Sequence, residues 1–255
     1  MSKAILVVSF GTTFSETRQK NITAVEATVA AKFPGFQVYS AWTSSIIRRI
    51  LAERGEHIPD VTQAMDAMRT DGVTEVVILP THLLYGEEYD KLCTQSEAQK
   101  HLFHGVRIAP PLLAGTDDMR TVLEAVTSEL PMAPDESLVF MGHGTPHFCN
   151  TVYAALDYLA KAEGRPYVFV GTVEAFPDLN TVITAVKAAG YRKAVLTPLM
   201  LVAGDHAVND MASLEPDSWK SCFEAAGIDC RTVVKGLGEY EKIRQLYAAH
   251  LETVL

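Results

Sequence analysis

The run Ala4-Ile5-Leu6-Val7-Val8-Ser9-Phe10-Gly11-Thr12 decides how the rest of the chain is read. Its apolar part, residues 4–10, is too short for a buried helix and rich in β-branched side chains. That predicts a strand buried on both faces, as in a parallel sheet. Gly11 permits a tight turn where the strand ends. The pattern returns 133 positions later as Val139-Phe140-Met141-Gly142-His143-Gly144-Thr145. Two further pairs repeat: residues 38–44 with 168–174, and Val77-Ile78-Leu79-Pro80 through Gly86-Glu87-Glu88 with Val195-Leu196-Thr197-Pro198 through Gly204-Asp205-His206. Each is a strand plus the loop leaving its C-terminal end. Two copies are too few for a solenoid. They predict an α/β protein of two similar lobes, each with a parallel sheet, facing one another across a cleft.

Working outward, strands are predicted at 36–42, 75–79 and 105–108, and helices at 15–31, 60–69, 87–100 and 117–130. Pro131-Met132-Ala133-Pro134-Asp135-Glu136 then breaks the pattern. It predicts a boundary between an N-terminal lobe, 1–130, and a C-terminal lobe, 137–255. Beyond it come strands at 137–142, 167–172, 193–199 and 230–234, and helices near 152–163, 179–189, 218–226 and 240–254. Strands spaced by helices imply βαβ units with helices on both faces of each sheet.

Composition excludes several functions. A net charge of -9 over 255 residues lacks the basic footprint of a nucleic-acid binder. No apolar run reaches the ~18 residues that would span a membrane. The first residues do not read as a secretory signal, so a cytoplasmic protein is expected. Cys93, Cys149, Cys222 and Cys230 form no CxxC pair and are read as reduced thiols. There is no Walker-type sequence with its lysine and no GxGxxG after a strand, so no nucleotide is expected. A Gly-x-Ser-x-Gly elbow is also missing, which weakens a hydrolase reading.

Ligands of open α/β sheets bind outside the carboxyl ends of the strands. In the second copy the first three strands are followed by His143, Glu174 and His206; in the first copy the matching places hold Phe10, Ser44 and Glu88. Two imidazoles and a carboxylate from three strand ends suit a borderline divalent transition metal with open coordination positions. Phe10 could pack on a flat ligand, and Glu88 could accept a proton or add a metal contact. Taken singly, a histidine after a strand is more often a hydrogen-bonded loop residue, and Glu174 before a helix could serve the helix dipole. Three such residues at matched positions favour the metal reading. His82 and His147 are weaker candidates, each a pocket or a structural residue. Gly142 and Gly144 allow close backbone approach to a ligand.

These residues resemble the anaerobic cobalt chelatases of vitamin B12 biosynthesis, within the class II chelatase superfamily that includes ferrochelatase. The resemblance rests on residues 6–12, on Met141-Gly142-His143-Gly144, on Gly171-Thr172-Val173-Glu174, and above all on residues 198–212, Pro198-Leu199-Met200 through Gly204-Asp205-His206 to Asp210-Met211-Ala212. It covers nearly the whole chain, and it implies lobes of Rossmann-like or flavodoxin-like form with a tetrapyrrole cleft between them. The resemblance implies ATP-independent insertion of Co2+ into sirohydrochlorin, with Fe2+, Ni2+ or Zn2+ as alternative ions. It implies a metal held by His143, Glu174 and His206, with Glu88 on the opposite wall, and proton acceptance by His143, His206 or Glu88. Phe10, Gly11, Thr12, Leu84, Tyr85, Leu201 and Val202 would line the tetrapyrrole cleft. Such families often form homo-oligomers. Open alternatives are a ferrochelatase, a nickel or iron chelatase, and a non-catalytic metal or haem carrier on the same scaffold.

Overall fold

The apolar run near the start of the chain is a central strand. In this computed structural model, which describes residues 2–255 and leaves Met1 of the expected first lobe outside, β1 (Ser2–Ser9) has no exposed surface from Ala4 to Ser9. It pairs in parallel with β2 (Gln37–Trp42) and β3 (Val73–Pro80), and β4 (Gly105–Ile108) extends the sheet beyond β3. The order is β2-β1-β3-β4. The helices are α1 (Ser15–Arg18), which passes through a π-helical turn at Gln19–Thr23 into α2 (Ala24–Lys32), then α3 (Ser45–Glu53), α4 (Val61–Thr70) and α5 (Glu87–Gln99).

After α6 (Thr116–Glu129) the scheme is repeated. β5 (Glu136–Gly142) lies between β6 (Val168–Thr172) and β7 (Lys193–Leu199), and β8 (Asp229–Thr232) flanks β7. All pairings are parallel, in the order β6-β5-β7-β8. The helices are α7 (Thr151–Ala162), α8 (Leu179–Ala188), α9 (Trp219–Ala225) and α10 (Glu241–Glu252). Two sheets with the same strand order are what the sequence repeat predicts.

Alternate side chains of a strand serve opposite faces of the sheet. Ala4, Leu6 and Val8 of β1 join Ala64, Met65 and Met68 of α4 and Leu92 of α5 in one buried cluster. In the second sheet, Val139 and Met141 of β5 join Val182 and Val186 of α8 and Trp219 and Phe223 of α9. Burying both faces explains why the strands read as continuous apolar runs rather than alternating ones.

Two expectations need correction. Helix α3 was absent from the sequence reading, although its signal exists: Ser44 caps it, its hydroxyl accepting from Ile47 N at 3.3 Å. The halves also divide elsewhere. The chain up to Ala114 forms one compact unit with Glu241–Leu255, and Gly115–Tyr240 forms the other. The proline segment at 131–134 does end α6, but inside the second unit. The cause is coverage of apolar faces. Helix α10 buries Ile243, Tyr247, Ala248 and Leu251 against α2 and β3, and Tyr247 Oη donates to Thr81 O at 2.7 Å. Helix α6 buries Val122, Leu123, Ala125 and Val126 and packs on α7. Each unit thus draws a helix from beyond the boundary predicted by local composition. Among the described residues, no helix is long and apolar enough to cross a membrane.

Candidate metal centre

His143 follows the last residue of β5 between two glycines. Gly142 lies on the ring of Tyr153, where an added Cβ would stand 2.3 Å from Cε1. Gly144 adopts a positive φ of 86°, and a Cβ there would meet Ala175 N at 2.8 Å. Only glycine lets the loop lie this close to the next one. Beneath it the buried Tyr153 phenol is pushed up to about 12 by desolvation, partly offset by the backbone N–H groups of Gly144 and His143.

Glu174 follows β6. The parallel ladder runs on past the strands, with Val173 N donating to Gly142 O at 3.0 Å and Glu174 N to His143 O at 2.9 Å. His143 and Glu174 are therefore set side by side by backbone register. His206 arrives on the loop after β7, between Ala203 and Ala207, both buried in the core of the unit. A π-helical turn, Ala207–Met211, follows it, anchored by buried Ala207 and Met211. The His206 Nδ1 lies 2.5 Å from Asp210 Oδ2.

The three side chains converge. One donor atom from each of His143, Glu174 and His206 lies within 4.8 Å of the others. The imidazoles meet edge to face, with centroids 4.5 Å apart and planes at 86°. His143 Nδ1 is 3.5 Å from Glu174 Oε2 and 3.0 Å from Gly144 O. A carbonyl only accepts, so this nitrogen carries hydrogen and Nε2 keeps the lone pair. Both histidines are half-buried and Glu174 is exposed, so the trio opens to solvent. Such a set can hold a divalent ion of the zinc, cobalt or iron type and leave coordination positions open.

The other expected site residues lie at the strand ends of the first unit or beside the trio. Phe10 is 45% exposed. Gly11, with a φ of 109°, lies over the Trp42 ring. Thr12 is buried, and its hydroxyl accepts from Phe14 N. Ser44, at the place matching Glu174, caps α3. Glu88 is in the first turn of α5, with Lys91 Nζ 3.8 Å from its Oε2. Tyr85 is exposed and meets Tyr89 edge to face. Leu84 and Leu201 are buried and Val202 is half-buried. Thr12, Leu84 and Leu201 thus support their loops from inside. His82 places Nε2 3.2 Å from Thr43 Oγ1. His147 Nδ1 accepts from Cys149 N at 3.3 Å and stands outside the converging set.

Sequence reasoning missed Asp210 and Tyr153. The first had a signal, a carboxylate four residues after a candidate ligand; the second had none, because its partner is distant backbone. It also missed Phe148, Phe176 and Leu214, which expose 79%, 65% and 82% of their surface. They lie beyond His143, Glu174 and His206 in the chain, and Asn150 Nδ2 donates to Phe176 O at 2.6 Å, tying two of these loops together.

The family model for cobalt chelatase (CbiK) matches residues 3–255. The chain belongs to the cobalt chelatase (CbiK) family. This family member is 40% identical over 257 aligned positions to the sirohydrochlorin cobaltochelatase of Salmonella typhimurium, covering 100% of this chain and 97% of that protein. It is 36% identical to sirohydrochlorin cobaltochelatase CbiKC of Nitratidesulfovibrio vulgaris, covering 98% and 89%. Its fold resembles SirB from Bacillus subtilis, solved with Fe3+, with a TM-score of 0.69 over 99% of this chain and 95% of that one, at 12% identity. In this CbiK-family chain the converging trio is contained within one unit, 115–240.

Proposed function

We propose that this chain inserts Co2+ into sirohydrochlorin, and that His143, Glu174 and His206 hold the ion before transfer. The observation that carries this reading is the convergence of three donors, far apart in the chain, within 4.8 Å of one another. Family membership supports the reaction class, and the names of the two relatives support the macrocycle.

The chemistry asks for an ion that can leave. A closed cage of protein ligands holds a metal for structure, whereas three ligands with open positions allow exchange. Nitrogens of the ring take the open positions, and the protein ligands are then released in steps. The macrocycle gives up two pyrrole protons for each divalent ion it gains, so charge balances without a nucleotide. A neutral imidazole suits proton acceptance near pH 7, and either histidine becomes available as it lets the ion go. Glu88 is a further acceptor, with Lys91 supplying an opposite charge 3.8 Å away.

The test is an anaerobic insertion assay followed by the absorption change of sirohydrochlorin, run with Co2+, Ni2+ and Fe2+. Co2+ should be inserted without ATP. His206→Ala should abolish insertion while the chain stays folded, a loss beyond the ~10–100-fold expected for a residue outside the ligand set. Near-normal turnover in that variant would refute the ligand assignment.

A further inference from the structure

The three donors are not held alike. His143 and Glu174 are fixed to each other by the backbone bonds that extend the β5–β6 ladder. His206 comes from a separate loop. Among the described residues, the backbone bonds of that loop run to Leu237 and Gly238 and within the turn from Gly204 to Val208, not to the other two ligand loops. Its anchors Ala203, Ala207 and Met211 fix where the backbone lies, but they leave the ring free to turn about its own side-chain bonds. Beside its edge-to-face contact with His143, one hydrogen bond restrains the ring: Nδ1 lies 2.5 Å from Asp210 Oδ2.

We infer that Asp210 is the positioning residue of the metal site, holding His206 as the Nδ1–H tautomer with Nε2 aimed at the ion. This rests on the reading of His206 as a metal ligand. An ionised carboxylate can only accept, so the hydrogen of this pair sits on Nδ1. In a neutral imidazole the lone pair then belongs to Nε2, the atom left to face the other donors. Asp210 lies outside the converging set of His143, Glu174 and His206, so it acts through the ring and not as a fourth ligand. The pair is built by local geometry. His206 and Asp210 are four residues apart across a π-helical turn, a rare form found mostly as single turns and often at functional sites. Metal-bound histidines commonly donate their second N–H to a carboxylate, which fixes the ring and strengthens it as a ligand. The other imidazole has only a neutral acceptor, Gly144 O, at Nδ1 within hydrogen-bond distance, with Glu174 Oε2 farther off at 3.5 Å. The two histidines therefore differ as ligands, and the one with the weaker backbone restraint has the stronger side-chain restraint.

The test titrates the full chain with Co2+ alone, under anaerobic conditions and without macrocycle, reading the visible absorption of bound Co2+. Asp210→Ala should bind Co2+ about 10–100-fold more weakly, with an altered band. In turnover it should raise the KM for Co2+ more than it lowers kcat. Asp210→Asn keeps an oxygen that accepts from Nδ1–H, so it should recover part of the affinity; it also carries the test if the alanine variant does not fold. The inference is overturned if Asp210→Ala binds Co2+ like the wild type with the same band, or if Asp210→Asn is no better than Asp210→Ala. His206→Ala separates the two levels. If it loses Co2+ while Asp210→Ala does not, only the positioning role fails. If it binds Co2+ normally, the ligand reading fails and takes this inference with it.

Discussion

At the scale of single residues, the same side-chain type serves different ends according to its surroundings. His206 and His143 sit half-exposed beside carboxylates, where an ion can reach them. His82 has its Nδ1 shielded from solvent with no hydrogen-bond partner among the described residues. Burial, and then the nearby charge of Lys91, push its pKa down from 6.5 to about 4. This has a consequence for acid stability. Above pH 6.5 the ring is neutral in both folded and unfolded chains. As pH falls toward 4 the unfolded chain takes up a proton that the folded chain refuses, so stability is lost across that window. Urea unfolding midpoints measured through this range should fall less steeply in His82→Asn than in the wild type. Equal slopes would show that the ring is protonated in the folded chain.

At the scale of elements, the site depends on how loops leave strands. The β5–β6 ladder carries on to Glu174, and the glycines flanking His143 leave out Cβ atoms that would strike the Tyr153 ring of α7 and the loop at Ala175. Helices matter through the faces they cover. Tyr247 of α10 has no exposed surface, and its hydroxyl satisfies a carbonyl at the end of β3. Burial raises its pKa, so it remains a donor at any working pH. Tyr247→Ala should destabilise the chain by about 3–5 kcal/mol, the range for deleting a large buried ring. Denaturant unfolding would measure this. A loss below about 1 kcal/mol would show that α10 is not part of the core of the first unit.

At the scale of the whole molecule, one scheme is used twice with different outfits at the strand ends. The first unit ends its strands with Phe10, Ser44 and Glu88; the second with His143, Glu174 and His206. Grouping α10 with the first unit predicts its exchange behaviour. Amides of Tyr247 and Leu251 should share the opening free energy of β1, and those of Val122 and Val126 in α6 that of β5. Native-state hydrogen exchange would reveal it; protection of α10 tracking β5 instead would contradict the division.

Much of this was legible from residues alone. Apolar runs at 4–10 and 139–142 gave the central strands, because a strand buried on both faces leaves a continuous hydrophobic signature. The matched offsets gave both sheets the same order and put the three donors on equivalent loops. Helix α3 carries only the cap signal of Ser44: it is a single short amphipathic stretch between that cap and a glycine, with little length over which to establish a period. Tyr153 beneath Gly142 and the burial of Thr12, Leu84 and Leu201 were not legible, since each depends on how separate parts of the chain pack together.

The sequence by itself therefore determined the type and order of the elements and which polar residues stand at the strand ends, because these follow from local periodicity and from the repeat. Only the tertiary structure decided that α6 and α10 cross the apparent boundary, that Asp210 backs His206, and that the trio comes within one ion's reach. The reason is physical. Burial is favourable wherever apolar surface leaves water and has no direction, so an amphipathic helix announces that it will cover a face but not which one. A side chain's partner is likewise fixed only when the packed backbone has set its neighbours.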